Sequence, residues 1–258
     1  MLRTSAILCL LLLAGCAKPP PSFEDVPPAE DLYAEGLEEL ESQRARWYWP
    51  FTDRSDAIEV FQGIIDNYPY SEYAVLAELA IADSYFEDKM HEEALSYYRD
   101  FTDLHPQNEK VPYAIYRAAL CHHEQRKAPN RDQTATRQAL EFLDELLARH
   151  PYSEYAGPGE ALWRELRLSL ARQVANIGDF YMGRAEWESA AERFRSLLNE
   201  YPGLGLDAEA LYKLGICYAE MHRLEEAESI FQAVVQNYRD SDAARDAADR
   251  IAQLGRGT

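Results

Sequence analysis

Residues 211–239 read LYKLGICYAEMHRLEEAESIFQAVVQNYR. Tyr218 follows Gly215 by three residues, Ala227 follows it by twelve, Phe231 comes four later, and Tyr238-Arg239 closes the run. Apolar residues recurring every three or four positions describe helices that bury one face. A glycine inside such a helix removes the Cβ and lets a second helix approach, while aromatics on either side fill the wedge between the axes. The stretch predicts a helical hairpin, with helix A running through Gly215 and helix B through Phe231.

The same wording recurs outward from this stretch. Ile177-Gly178, Tyr181, Ala190 and Phe194 repeat it, as do Ile81-Ala82, Tyr85, Ala94 and Tyr98. Ala57, Phe61, Ile64 and Ala139, Leu143, Leu146 keep only the helix B half. Their helix A segments, near Leu32 to Leu40 and Pro112 to Glu124, are displaced by insertions of roughly eight or nine residues relative to a 34-residue repeat. Tyr68-Pro69, His105-Pro106, His150-Pro151, Tyr201-Pro202 and Tyr238-Arg239 close the segments at intervals of 37, 45, 51 and 37 residues. These intervals lie at or above the period of the tetratricopeptide repeat. Proline ends helix B by lacking an amide hydrogen. One hairpin cannot bury its own apolar face, whereas five stacked ones can. With no strand-like alternation of any length, the predicted fold is all-α. It is a right-handed α-solenoid of five tetratricopeptide-like helix pairs over residues 29–258, with repeats ending near 69, 106, 151, 202 and 239. Pro158 to Met182 reads as one unusually long helix.

The amino end is a separate signal. A positive Met-Leu-Arg start, the apolar stretch Ile7 to Leu13 and Leu13-Ala14-Gly15-Cys16 describe a secretory signal over residues 1–15. The apolar stretch falls well short of the roughly 20 residues that span a bilayer. Leu-Ala-Gly-Cys resembles the bacterial lipobox, which makes Cys16 the lipidation site, and several acyl chains on one residue anchor stably. Ala17, rather than Asp, after the cysteine favours the outer membrane. Residues 16–28, rich in proline, read as a linker between lipid and body.

A formal charge of −19 repels phosphate and anionic lipid heads, so proteins are the expected partners and nucleic acid is not. Cys121 and Cys217 fall inside helical patterns and read as two separate buried thiols. His122, His123 and Glu124 diverge around a helix by about 100° per residue and do not form a metal site. His122 occupies the aromatic packing position of its repeat. The sequence shows no phosphate-cradling loop and no nucleophile with an attendant base, so neither enzyme activity nor a cofactor is expected.

With five repeats behind a lipobox, the chain resembles the BamD (YfiO) family of outer-membrane protein assembly lipoproteins. The residues that carry the resemblance are Tyr68 to Ala74, Ala82-Asp83-Ser84-Tyr85-Phe86, Arg131-Asp132-Gln133-Thr134, and His150 to Ala156. The Arg-Asp-Gln-Thr segment is the most specific of these. The likeness spans essentially the whole mature chain, while the insertion Arg46-Trp47-Tyr48-Trp49-Pro50-Phe51 is bulkier than the family pattern. The resemblance implies a non-catalytic subunit of the β-barrel assembly (BAM) complex at the periplasmic face of the outer membrane. Its implied partners are the periplasmic domains of a BamA-like central protein, accessory lipoproteins, and unfolded outer-membrane proteins with their aromatic-ended carboxy-terminal signal. A repeat scaffold coordinating cell-wall synthesis, similar to YbgF, is the alternative reading.

Within a peptide-holding groove, helix A positions Tyr33, Leu37, Leu76, Asp83, Phe86, Tyr113 and Tyr116 are the candidate contacts; packing between helices is the competing role for each. Trp47 and Trp49, in a segment greasy enough to need a cover, and Arg164 and Arg167, on the long helix, are the candidates for partner binding. Nearby Glu160 and Glu165 offer these arginines ordinary surface pairs instead.

Overall fold

The computed structural model describes residues 26–45, 54–128 and 130–255. Among them are eleven α-helices: α1 (Ala29–Ala45), α2 (Ser55–Asn67), α3 (Glu72–Glu87), α4 (His91–Leu104), α5 (Val111–Glu124), α6 (Thr134–Arg149), α7 (Ala156–Gly183), α8 (Trp187–Glu200), α9 (Asp207–Glu220), α10 (Leu224–Asn237) and α11 (Asp242–Leu254). No strand occurs among the described residues. Two compact units divide the chain inside α3, one up to Ala80 and one from Ile81 onward.

The even-numbered helices α2 to α10 are the predicted B helices, and they bury the same three positions. These are Ala57, Phe61 and Ile64; Ala94, Tyr98 and Phe101; Ala139, Leu143 and Leu146; Ala190, Phe194 and Leu197; and Ala227, Phe231 and Val234. Spacings of four and three place each trio on one stripe. Each large member, withdrawn from water, contributes about 1.5–3 kcal/mol. The B helices also end alike. Tyr68, His105, His150, Tyr201 and Tyr238 all leave the helix with φ near −130° while donating their backbone N–H to the carbonyl four residues back. A following proline drives its predecessor out of helical geometry. Arg239 stands where the other four have proline, and the turn is nonetheless the same.

The A helices supply the close approach. A Cβ on Gly36 would lie 2.5 Å from Phe61, one on Gly178 2.8 Å from Phe194, and one on Gly215 2.5 Å from Phe231. Gly36 precedes its phenylalanine by nine more residues than Gly178 or Gly215 does. The first pair's insertion therefore lengthens the A–B connection and leaves the packing intact. In the three pairs without an insertion, Lys89, Ala185 and His222 adopt φ of 63°, 57° and 60°. The next residue then donates to the carbonyls of Tyr85, Tyr181 and Tyr218 at 2.9–3.0 Å. This left-handed closure consumes the last carbonyls of helix A and turns the chain into helix B.

In the first unit α1 packs on α2. In the second, α4 to α11 each pack on the next, and α11 also reaches α9. This is the stacked helix-pair arrangement of a tetratricopeptide-like solenoid. Two features go beyond simple repetition. Helix α7 is 28 residues long, twice the 14 of α8 or α9, as the sequence predicts from Pro158 to Met182. Helix α11 lies beyond the last predicted repeat; Ser241 caps it by accepting from the Ala244 amide at 3.1 Å, and its Ala244 and Ala247 are buried.

Candidate functional site

Four of the predicted groove residues come together in the second unit. Asp83 of α3 accepts hydrogen bonds on Oδ1 from the hydroxyls of Tyr98 and Tyr113, the latter at 2.6 Å. Arg117 of α5 lies one turn after Tyr113. It brings Nη2 to 3.3 Å from the same oxygen and donates Nε–H to the Tyr98 hydroxyl at 3.0 Å. Its guanidinium carbon stands 4.0 Å over the Phe86 ring, an arrangement that couples charge to an aromatic face. Tyr155 completes the cluster, 5.4 Å from the Tyr113 ring and 5.8 Å from that of Tyr116.

The ionisable members hold one another in fixed states. Burial, reinforced by the Asp83 carboxylate, raises both Tyr98 and Tyr113 well above the ordinary tyrosine range, so both hydroxyls stay protonated and donate. Arg117 is mostly covered, at 16% side-chain exposure, whereas Asp83 retains 36% and keeps one edge toward solvent. The result is a satisfied polar core ringed by Phe86, Tyr113, Tyr116 and Tyr155. Such a rigid surface can offer aromatic edges and a carboxylate rim to an incoming chain.

Tyr98, read from the sequence only as a helix B packing position, and Arg117 are not among the predicted groove residues. Arg117 is detectable in the sequence, since it is the sole charge within the otherwise apolar Val111 to Cys121, and a cation in that position demands partners. In the first unit, Tyr33 packs 5.7 Å from both Phe61 and Tyr73. Leu37 is exposed and Leu76 half-buried. Cys16, Trp47 and Trp49 lie outside the described residues.

On α7, Arg164 is exposed and pairs with Glu160 at 2.7 Å. Arg167 is held by its own chain, stacked 4.7 Å over Trp163 and 5.3 Å over Tyr201, and donating to the Glu200 carbonyl. Gln133 of the Arg131-to-Thr134 segment is buried. Its Nε2 donates to the Ala128 and Arg131 carbonyls at 2.9 and 3.2 Å, and its Oε1 accepts from Thr136 at 2.9 Å. The most family-specific motif thus closes the third pair's insertion. His122 is buried and stacks on Phe142 at 5.7 Å, with burial holding its pKa below the ordinary histidine value. Cys121 and Cys217 are free and buried in separate repeats.

Stacked helix pairs of this kind define a tetratricopeptide-like helical solenoid. The residues from 26 to 230 match the family described as YfiO, Outer membrane lipoprotein. The chain belongs to that family and associates with the outer membrane. It is 30% identical to the outer membrane protein assembly factor BamD of Caulobacter vibrioides, covering 87% of this chain and 72% of that protein. The BamD of Rickettsia prowazekii is 29% identical, with 92% and 91% covered. That of Vibrio cholerae is 28% identical, with 82% and 91% covered. These relatives favour the assembly reading over the cell-wall alternative.

Proposed function

We propose that this chain is a non-catalytic lipoprotein subunit of the complex that assembles β-barrel proteins into the outer membrane. The observation that carries this reading is the extent of the match. Relatives that are themselves named outer membrane protein assembly factors align along nearly the whole repeat body, not over one hairpin. Cys16 carries the acyl chains and holds the repeats at the periplasmic face. The partners are the periplasmic domains of a BamA-like central protein, accessory lipoproteins of the complex, and unfolded substrates.

Asp83, Phe86, Tyr113 and Tyr116 form the substrate-facing surface in the second unit, and Tyr33, Leu37 and Leu76 do so in the first. An extended, aromatic-ended segment has free main-chain groups that a carboxylate and tyrosine hydroxyls can meet, and side chains that ring edges can hold. Arg164, with Trp47 and Trp49, contacts other subunits. Arg167 serves that face mainly by keeping Trp163 in place.

Purification of the tagged, lipidated chain from detergent-solubilised membranes tests the reading. Recovery of a large outer-membrane protein with repeated periplasmic domains supports it, and recovery of cell-wall synthesis proteins alone overturns it. Replacing Cys16 by Ala is expected to release the chain from the membrane fraction. Arg164→Glu is expected to reduce the yield of co-purifying subunits.

A further inference from the structure

A groove of about 370 Å³ opens in the second unit between the last turns of α7 and the loop that inserts into the third helix pair. Ile177, Phe180 and Tyr181 form its apolar floor, and Asn130, Gln173 and Asn176 line its rim. Phe180 is 61% exposed and Ile177 37%. Two exposed apolar side chains on one face, contiguous with a concavity, form an apolar patch of the kind a partner surface covers. Arg184 lies 5.6 Å over the Phe180 ring but directs its charge into Glu186 at 2.7 Å. Among the described residues, no charged side chain lines the groove itself.

The chemistry of the rim selects the occupant. Each carboxamide offers an N–H donor and a carbonyl acceptor, the complement of a peptide unit, and three of them around an apolar floor suit an extended main chain. The flanking charge narrows the choice. Within a chain of net charge −19, Lys127 and Arg131 on the adjoining loop are exposed, whereas the neighbouring Arg126 is paired with Glu165 at 2.8 Å. Asp132, next to Arg131, accepts from the Thr134 hydroxyl and amide at 2.8 and 3.1 Å and offsets part of the Lys127 charge, which leaves the loop net positive. The loop is fixed against the groove, since the Arg131 carbonyl accepts from both Gln133 and Gln173.

We infer that this groove docks an extended segment of a partner protein, uncharged or acidic, that seats one bulky apolar side chain on Ile177 and Phe180. The surface is separate from the Asp83 cluster, and the inference goes beyond the proposed function by adding a second, differently built protein site.

The test uses the full-length lipidated chain in native outer membranes, with the photo-crosslinking residue p-benzoylphenylalanine at position 177. The expected result is an adduct, mapped by mass spectrometry, to one extended segment of another protein that lacks Lys and Arg and carries a bulky apolar residue. Phe180→Lys in the same chain should lower the adduct yield at least tenfold without changing the thermal melt, and Asn176→Ala should lower it severalfold. Arg172→Ala, on the same helix but outside the groove lining, should leave it unchanged. Adducts only with lipid or with a second copy of the chain, no adduct, or a yield indifferent to Phe180→Lys and Asn176→Ala would overturn the inference. Co-purification of assembly subunits with the unmodified chain is read separately, so loss of this site and loss of the assembly role are distinguishable.

Discussion

Single residues carry opposite consequences for the same chemical change. A methyl group added at Gly215 meets the Phe231 ring at 2.5 Å, whereas one added at Gly63 in α2 meets nothing within 4 Å. Gly215→Ala is therefore expected to destabilise by about 1–3 kcal/mol through overpacking. Gly63→Ala is expected to stabilise by about 0.5–1 kcal/mol through reduced chain entropy in a helix. Urea midpoints of the two variants decide this, and equal signs would contradict the packing described. The thiols are a second case at this scale. Burial pushes Cys121 up to about 12 and Cys217 to about 11. Because the thiolate is the reactive form, maleimide labelling of the native chain at pH 7.5 is expected to be orders of magnitude slower than in 6 M guanidinium chloride.

At the scale of the helix and loop, the B helices were legible because each stripe of three buried residues is local and ends in a Tyr or His, followed by proline in four of the five. The A helices of the first and third pairs were harder to place. Their register to the partner helix depends on loop length, and contacts between helices fix it: Gly36 under Phe61 in the first pair and His122 on Phe142 in the third. The candidate groove was half legible. Asp83, Phe86, Tyr113 and Tyr116 are recognisable in the sequence as helix A positions, but the bonds joining them to Tyr98 and Arg117 cross between helices and leave no trace in spacing. Gln133 belongs to this scale too. Gln133→Ala strips two loop carbonyls and the Thr136 hydroxyl of a partner. It is expected to cost about 1–3 kcal/mol and to accelerate amide exchange in residues 126–132 while sparing α9 and α10. The Asp83 cluster responds to alkali. Tyr98 and Tyr113 are held protonated when folded, so their contribution is complete below the ordinary tyrosine pKa of about 10 and is lost as pH rises above it. Chemical denaturation at pH 9 and pH 11 should show a fall in stability that is shallower in Tyr113→Phe.

Across the whole molecule, a chain of stacked hairpins resembles a one-dimensional lattice, in which unfolding can stop at any weak boundary between neighbours. Helix α7 removes one such boundary. Near its start Gly159 sits under Leu146 of α6, and near its end Gly178 sits under Phe194 of α8. One continuous rod of roughly 42 Å, at 1.5 Å per residue, is thus a structural member of two successive pairs. A domain wall between folded and unfolded repeats cannot come to rest inside it without breaking helical hydrogen bonds on both sides. The third and fourth pairs are therefore expected to melt as a single cooperative block. Native-state hydrogen exchange should show α6 and α8 sharing one opening energy, while α11 opens at lower cost.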